Sequence, residues 1–268
     1  MSHPLNTPIG RFGIDTFERT VAVPGGQQVT ATLPAHGLRN PLTGRPTAAP
    51  LAMLLDHTGG LANHLRRDDG EWTVSTELSI ELSPDAADLI AADETPVTAR
   101  ARPVGGKGPT AMVLCDFTIG DVVIGTGSVR SFYINASQFF DPPADPAHLV
   151  RKTGLAEMMA VEPDPSGGAV LRQLADPVLN NSLGVVHGGV AATGLELVAS
   201  AAVNAGREDD PLRTGSLRVN YLRRLLAGGE CRYTATALHV GRSTGVAEAQ
   251  AFGADGKLAL SARFTGYR

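Results

Sequence analysis

The chain has 268 residues, and its 23 lysines and arginines against 27 aspartates and glutamates give a net charge of −4, which argues against nucleic-acid binding. No apolar run is long enough to cross a bilayer, and residues 1–10 lack the charged and apolar regions of a signal peptide, so we expect a cytoplasmic protein that binds no membrane. The two cysteines, Cys115 and Cys231, favour neither a disulfide framework nor a metal site.

The first half of the chain predicts one helix followed by several strands. Residues 48–62 form an apolar segment in which Asp56 is the single acidic residue, and this segment predicts a helix. Residues 75–82 alternate between polar and apolar side chains, which is the period of a half-buried strand. Residues 97–104 and 112–114 predict two later strands.

A proline- and aspartate-rich stretch then separates two halves of similar length. Such composition is typical of a connecting segment rather than of a helix or a strand. We therefore predict an N-terminal domain over residues 1–134, a linker over residues 135–150 and a C-terminal domain over residues 151–268.

The second half contains the most informative pattern of the chain. Asn181 stands six residues before a His-Gly-Gly motif at positions 187–189, and residues 190–203 continue as an apolar helix in which Glu196 is the only charge. Free amides and the positive end of the dipole make a helix start a site for an oxyanion. A carboxylate among apolar side chains is a candidate base, although a solvent-facing or structurally hydrogen-bonded acid would give the same pattern.

The two halves repeat each other. Moving the second half back by 140 positions places Glu196 on Asp56, each at the same depth of an apolar helix. Moving it back by 139 positions places Thr214 on Ser75, each at the start of an alternating strand. A period this long indicates a duplicated domain rather than a solenoid.

Together these features resemble the hotdog-fold acyl-CoA thioesterases of the phenylacetate-pathway (PaaI-like) type. The order of Asn181, the His-Gly-Gly motif, the acid on the helix and the strand of residues 214–224 resembles that family, as does the hairpin of residues 238–252. The resemblance covers residues 155–268. With the repeat, it implies an α+β double hotdog, in which two fused repeats each wrap an antiparallel sheet around a central helix.

The resemblance also implies a composite active site. In that family one protomer supplies the Asn, the motif and the helix start, and its partner supplies the carboxylate and a Ser or Thr. The glycine amides would hold the thioester oxygen, while the acid would activate water or attack the carbonyl itself, and the hydroxyl would position that water. In this chain the set becomes Asn181, His187, Gly188, Gly189, Asp56 and Ser75.

A second composite site is expected to be incomplete. Its members would be Glu196, Thr214, Thr47 and Ala48. The His-Gly pair is missing there, and the overlay puts Pro41 at the position of the Asn, with Asn40 beside it. We therefore expect one working site per chain, with Asp56 as its base.

The expected substrate is an acyl-CoA thioester. Arg223, Arg224 and Arg242 are candidates for binding the phosphates of coenzyme A, although such residues are more often ordinary surface charge. No cofactor is expected beyond the coenzyme A of the substrate, and no metal. Because double hotdogs commonly pair further, we expect a homo-oligomer.

Two other functions fit the same sequence. Hotdog domains also include acyl-CoA hydratases and acyl-carrier dehydratases, although the Asp-x-Asn-Pro-x-His run of the hydratases is missing. A duplicated domain that has lost its chemistry would instead be a non-catalytic acyl-CoA-binding protein. Release of free thiol separates hydrolysis from both alternatives.

Overall fold

A computed structural model of the protein describes residues 1–17, 21–143 and 150–268, so residues 144–149 of the predicted linker lie outside it. The helices are α1 (Pro8–Arg11), α2 (Leu51–His64), α3 (Ala86–Ala92), α4 (Leu155–Met159) and α5 (Gly188–Val203). The strands are β1 (Asp15–Thr16), β2 (Val21–Val23), β3 (Gly26–Leu33), β4 (Glu71–Leu82), β5 (Val97–Val104), β6 (Thr110–Ile119), β7 (Val122–Asn135), β8 (Val161–Pro163), β9 (Val170–Gln173), β10 (Arg213–Tyr221), β11 (Arg232–Val240), β12 (Thr244–Phe252) and β13 (Leu258–Tyr267).

These strands form one antiparallel sheet. Its order is β1-β3-β5-β6-β7-β4-β10-β13-β12-β11-β9-β8, with β2 paired to β3. The halves of the chain meet at β4 and β10, where Leu78 lies opposite Val219. From β4 outward the first half continues with β7, β6, β5, β3 and β1, and from β10 outward the second half continues with β13, β12, β11, β9 and β8. Each half thus runs backwards through its own strands and ends in a short edge strand.

The two long helices lie on the sheet, and each packs on strands of its own half and on the other helix. Small residues are required where a helix lies close to the sheet. At Gly194 of α5, for example, an added Cβ would lie 2.7 Å from the ring of Tyr233, which is too close for a real side chain. The side chains of Leu51, Leu54 and Leu55 on α2 are fully buried. Within the described ranges, no helix combines the length and the apolar character needed to cross a bilayer.

The observed elements differ from the predicted ones mainly at their ends. Helix α2 begins at Leu51 rather than at residue 48, because the preceding residues form tight turns in which the amide of Leu51 donates to the carbonyl of Ala48. Strand β10 ends at Tyr221 rather than at residue 224. The amides of Leu222 and Arg223 both donate to the carbonyl of Ala259, so the chain turns away from β4 at this point.

Candidate active site

The start of α5 lies directly against α2. A Cβ on Gly188 would be 2.8 Å from Oδ2 of Asp56, and one on Gly189 would be 2.7 Å from Cα of Met53. Real side chains do not make such contacts, so glycine at both positions allows the helices to approach. The geometry brings the predicted helix start of the second half to the predicted carboxylate of the first half.

Asp56 is held by a hydroxyl from the neighbouring strand. Its side chain is 7 % exposed, and Oδ1 accepts a hydrogen bond of 2.7 Å from Oγ of Ser75. A bulge in β4 follows at Thr76, where the pairing with β7 skips one residue, and such bulges re-aim side chains. Because the hydroxyl proton points to the carboxylate, Ser75 orients Asp56, whereas the resemblance implies only that this hydroxyl positions the water.

His187 is the N-cap of α5. Its Nδ1 accepts a hydrogen bond of 3.1 Å from the amide of Gly189 and lies 3.3 Å from Oδ2 of Asp56. Burial lowers the pKa of His187, and the nearby charge of Asp56 opposes that shift. Because a nitrogen that accepts a hydrogen bond carries no proton, the neutral ring carries its proton on Nε2.

The two glycine amides of the motif differ in availability. The amide of Gly189 is used by the ring of His187. The amide of Gly188 donates to no acceptor in the part of the chain that the structure describes. Gly188 is therefore the free donor at the helix start, next to the carboxylate of Asp56.

Asn181 adds a second free donor. Its Oδ1 accepts hydrogen bonds from the amides of Leu183, at 2.9 Å, and Val185, at 3.4 Å, which fixes the side chain within its own loop. Its Nδ2 makes no hydrogen bond among the described residues, and Asn181 lines the cleft beside Asp56. The loop thus presents an amide group to any molecule in that cleft.

The cleft over these groups has a volume of about 1090 Å³. Among its lining residues are Asp56, Ser75, Asn181, His187, Gly188, Arg223 and Arg224. Arg242 does not line it, contrary to the role predicted for it. That residue lies in the turn between β11 and β12, where its carbonyl accepts from the guanidinium of Arg207 at 3.0 Å, and Arg207 follows the opposite end of α5, roughly 20 Å from the helix start.

The structure adds Tyr221 to the predicted set. Its hydroxyl donates to the carbonyl of Gly188 at 3.1 Å, and it lines the cleft. Burial, followed by the charge of Asp56, raises the pKa of Tyr221 well above its ordinary value, so the hydroxyl keeps its proton. In the sequence Tyr221 is the last apolar member of an alternating strand, a pattern that predicts burial but not this contact.

A second group of contacts that the sequence does not predict extends from His57. Nε2 of His57 is 2.7 Å from Oγ1 of Thr16, which is 2.8 Å from Nε2 of His3. Burial lowers the pKa of His57 to about 3, so its ring is neutral at neutral pH. Despite these histidines, no cluster of His, Cys, Asp or Glu within residues 1–17, 21–143 and 150–268 is arranged to hold a metal ion.

The second predicted carboxylate has a different environment. Glu196 is 3 % exposed; Oε1 accepts a hydrogen bond from Thr214, and Oε2 lies 3.5 Å from the hydroxyl of Thr47. Burial raises the pKa of Glu196 to about 7, although the two hydroxyls oppose the shift. Thr47 also accepts from the amide of Ala49 at 3.1 Å, as His187 accepts from Gly189.

The structure corrects the overlay at Asn40. The amide of Leu42 donates to its Oδ1 at 2.9 Å, the same turn that Asn181 forms with Leu183. Asn40, not Pro41, therefore occupies the position of Asn181, because the first loop is one residue longer. Its Nδ2 donates to the carbonyl of Leu197, at 2.9 Å, and to Oγ of Ser200, at 3.1 Å.

The cavity beside Glu196 is small, with a volume of about 160 Å³. Asp88 of α3 lines it and forms an ion pair of 2.7 Å with Arg213, which also lines it. The segment that joins β10 to β11 contains no such helix. The two predicted composite sites are thus both assembled, but only the one at Asp56 opens to a large cleft.

Comparisons with known proteins agree with this fold. The family model described as "Thioesterase superfamily" matches residues 183–260. No curated protein matches the chain. The tesB protein of Mycobacterium avium subsp. paratuberculosis is structurally similar, with 11 % identity, a TM-score of 0.59 and coverage of 93 % of this chain and 95 % of that one.

Two further solved structures are similar over nearly the whole chain. Acyl-CoA thioesterase II TesB2 of Mycobacterium marinum has 12 % identity and a TM-score of 0.55, covering 89 % of this chain and 90 % of its own. A protein of Alicyclobacillus acidocaldarius described as having a hot dog fold has 13 % identity and a TM-score of 0.51, covering 93 % and 95 %. Residues 183–260 thus match the Thioesterase superfamily model, and the structural similarity shows that the chain has the hotdog fold.

Proposed function

We propose that the protein hydrolyses acyl-CoA thioesters, in the manner of the PaaI-like family, at the site of Asp56. The observation that carries the proposal is the placement of a hydrogen-bonded carboxylate beside the free amide of Gly188 within a large cleft. Hydrolysis of an activated acyl group needs both a base and a donor for the developing oxyanion.

The carbonyl oxygen of the thioester would accept hydrogen bonds from the amide of Gly188 and from Nδ2 of Asn181. The positive end of the α5 dipole favours the negative charge that develops there. The hydroxyl of Tyr221, bonded to the carbonyl of Gly188, keeps this first peptide of the helix in place. His187 acts as the cap that fixes the orientation of the same helix start.

Asp56 would take a proton from water as the water oxygen bonds to the carbonyl carbon. The resulting tetrahedral intermediate carries its negative charge on the former carbonyl oxygen. When the carbon–sulfur bond breaks, the thiolate takes the proton from Asp56, which leaves a carboxylic acid and coenzyme A. Ser75 holds the carboxylate in position through its hydrogen bond to Oδ1, while Arg223 and Arg224 supply positive charge in the cleft for the phosphates.

We further infer that the chain is a duplicated hotdog domain with one working site. The equal strand order outward from β4 and β10 and the matched bulges after Ser75 and Thr214 support the duplication. The small cavity at Glu196 supports a single site. The assembly of two or more chains remains a prediction.

The decisive experiment measures free thiol released from short, medium, long and aryl acyl-CoAs. Because a positioned base contributes about 10²–10⁴-fold, we expect Asp56→Asn to lose turnover by that factor and still bind substrate. Glu196→Gln is the matched control, since it makes the same change in the other helix, and it should retain turnover. Full activity of Asp56→Asn would overturn the mechanism.

Two outcomes would replace the proposed reaction. Loss of enoyl absorbance from an enoyl-CoA, without thiol release from any acyl-CoA, would identify a hydratase. Binding of acyl-CoA without either reaction would identify a non-catalytic acyl-CoA-binding protein.

A further inference from the structure

Gly60 has no packing reason to be a glycine. It lies in α2 four residues after Asp56, hence one turn further on the same face, and it lines the cleft. A Cβ placed on it would meet no atom within 4 Å. Glycine inside a helix destabilises the fold relative to alanine, so this position gives up stability without any steric need.

The adjacent glycine shows the contrast. A Cβ on Gly59 would lie 2.9 Å from side-chain atoms of Val113 and of Val129, so close packing against the sheet explains that residue. Gly60 faces the other way, into open space. What Gly60 provides is therefore room in the cleft itself.

Beyond Gly60 the cleft continues as an apolar arm. We define the arm by the residues Gly60, Leu61, His64, Trp72, Ile134 and Phe140, all of which line the cleft. The ring of His64 stands edge-on to Trp72, with centroids 4.5 Å apart, and burial lowers the pKa of His64 to about 4. These six residues carry no charge at neutral pH. Thr73, whose hydroxyl is 3.0 Å from Nδ1 of His64, and Asp141 also line the cleft, as do Arg223 and Arg224.

The arm is deep enough for a chain of several carbons. Asp56 and His64 are eight residues apart on α2, which corresponds to about 12 Å along the helix axis. A short acyl group such as acetyl, placed with its carbonyl at Gly188, would leave this space unfilled. An alkyl chain of medium length would fill it.

The equivalent position in the second half is occupied. Ser200 stands 140 residues after Gly60, and its Oγ accepts from Nδ2 of Asn40 at 3.1 Å. Ser200 and Asn40 both line the cavity of about 160 Å³ beside Glu196. The site at Glu196, which has a side chain at this helix position, is the closed site with the small cavity. The site at Asp56, which has none, is the open site with the large cleft.

We propose that the acyl chain of the substrate lies in this arm and that Gly60 is the specificity-determining residue that admits chains of medium length. The proposal rests on the thioesterase function proposed above. An apolar chain matches the uncharged lining, and the carbonyl at its head would then lie between Asp56 and Gly188.

The test compares Gly60→Ala and Gly60→Leu with the wild type on acetyl-CoA and octanoyl-CoA. Loss of fitted methylene groups in an apolar pocket costs about 10–200-fold, so the kcat/KM ratio of octanoyl-CoA to acetyl-CoA should fall by about tenfold or more in Gly60→Leu, and by less in Gly60→Ala. Ser200→Ala, at the equivalent position of α5, should leave the ratio unchanged. Thermal melting of each variant verifies folding. An unchanged ratio in folded Gly60→Leu would overturn the proposal.

A binding measurement separates this proposal from the proposed reaction. In Asp56→Asn protein, calorimetry with octanoyl-CoA and with coenzyme A reports the contribution of the chain without turnover. We expect octanoyl-CoA to bind more tightly than coenzyme A, and the added Gly60→Leu change to remove that difference. Equal binding of the two ligands would overturn the arm, whereas tight chain-dependent binding with no thiol release by the wild type would overturn only the hydrolysis.

Discussion

The two composite sites of this protein have equivalent parts and different capacities. Each has a helix start, a carboxylate from the other half, a hydroxyl on a bulged strand and an Asn in the preceding loop. The cleft at Asp56 measures about 1090 Å³ and the cavity at Glu196 about 160 Å³. The two surroundings differ in several matched side chains and in helix α3, whose Asp88 lines the smaller cavity and which has no counterpart between β10 and β11.

Three matched positions differ between the two sites. Thr47 stands at the position of His187, Ala48 at that of Gly188, both before the start of α2, and Ser200 at that of Gly60. The ion pair of Asp88 and Arg213 also lines the smaller cavity. The structure therefore assembles similar groups twice, with the large cleft at Asp56 and the small cavity at Glu196.

The two carboxylates also differ in what surrounds them. Oxygens of Glu196 face the hydroxyls of Thr214 and Thr47, whereas Oδ2 of Asp56 accepts no hydrogen bond from a hydroxyl in the described chain and faces the helix start. A single acid on an apolar helix therefore does not by itself identify a catalytic base. The hydrogen-bonding groups beside the carboxylate and the volume of the adjoining cavity are needed as well.

Removal of one amide at the Asp56 site should have the largest effect among the changes that test this comparison. Gly188→Pro deletes the N–H at the first position of α5, where proline suits the helix, and His187 already has the extended backbone, with ψ of 134°, that a following proline requires. Loss of one oxyanion donor costs about 2.7–4 kcal/mol, so kcat should fall by about 10²–10³-fold.

Gly188→Ala provides the matched control for that variant. It adds the same Cβ, which would press on Oδ2 of Asp56, and it keeps the amide. The ratio of kcat between the two variants therefore separates the loss of the N–H from the effect of the added Cβ. Equal rates in the two variants would show that the amide of Gly188 does not hold the oxyanion.

The next effect concerns Glu196 in the closed site and is measured as a change in the free energy of unfolding. Glu196 has a pKa of about 7 in the folded protein against an ordinary value of 4.5, so the folded state keeps its proton to higher pH than the unfolded state. The free energy of unfolding should therefore fall as pH rises from 4.5 to 7. The loss is about 3 kcal/mol, because each pKa unit corresponds to about 1.36 kcal/mol.

Glu196→Gln removes this titration and keeps the shape of the side chain. Denaturant unfolding at about pH 5 and about pH 8 should show the variant gaining about 2.5 kcal/mol relative to the wild type between the two conditions. Because the closed site is proposed to have no role in turnover, thioesterase activity should not follow this change. An identical pH dependence in both proteins would contradict the raised pKa.

The sequence predicts the parts of both sites better than their surroundings. Intervals of 140 and 139 residues pair Asp56 with Glu196 and Ser75 with Thr214, and the structure places each hydroxyl on the acid of its own half. These pairs could be predicted because the helix and the following strand have fixed periods. One extra residue in a loop is enough to misplace Asn40, since loops have no such period.

The contacts that the sequence did not predict join residues from distant segments. The bond from Tyr221 to Gly188 and the chain from His57 through Thr16 to His3 depend on how the N-terminal segment and the strand ends pack. Neither has a local pattern. The volume of the cleft depends on the same packing, which is why the open arm at Gly60 follows only from the structure.

A smaller effect is expected when the open site is made to resemble the closed one. Gly60→Ser introduces the residue type found at position 200, where the hydroxyl accepts from Nδ2 of Asn40. The new hydroxyl should accept a hydrogen bond from Nδ2 of Asn181, which would then no longer be free for the thioester oxygen. Because a hydrogen bond contributes about 0.5–1.5 kcal/mol, kcat/KM should fall by about 2–10-fold. Asn181→Ala should then cost less in this variant than in the wild type. Additive losses would show that the two groups do not interact.

The smallest effect compares two neighbouring glycines in α2. Gly60→Ala should stabilise the fold by about 0.5–1 kcal/mol, because alanine loses less conformational freedom in a helix and its Cβ meets no atom within 4 Å. Gly59→Ala should instead destabilise by about 1–3 kcal/mol through overpacking, since Val113 and Val129 lie 2.9 Å from its Cβ. Denaturant unfolding of both variants measures the two signs. If Gly60→Ala also destabilised the fold, the structure itself would require glycine at position 60. The space beside Gly60 would then give no support to a role of this residue in substrate binding.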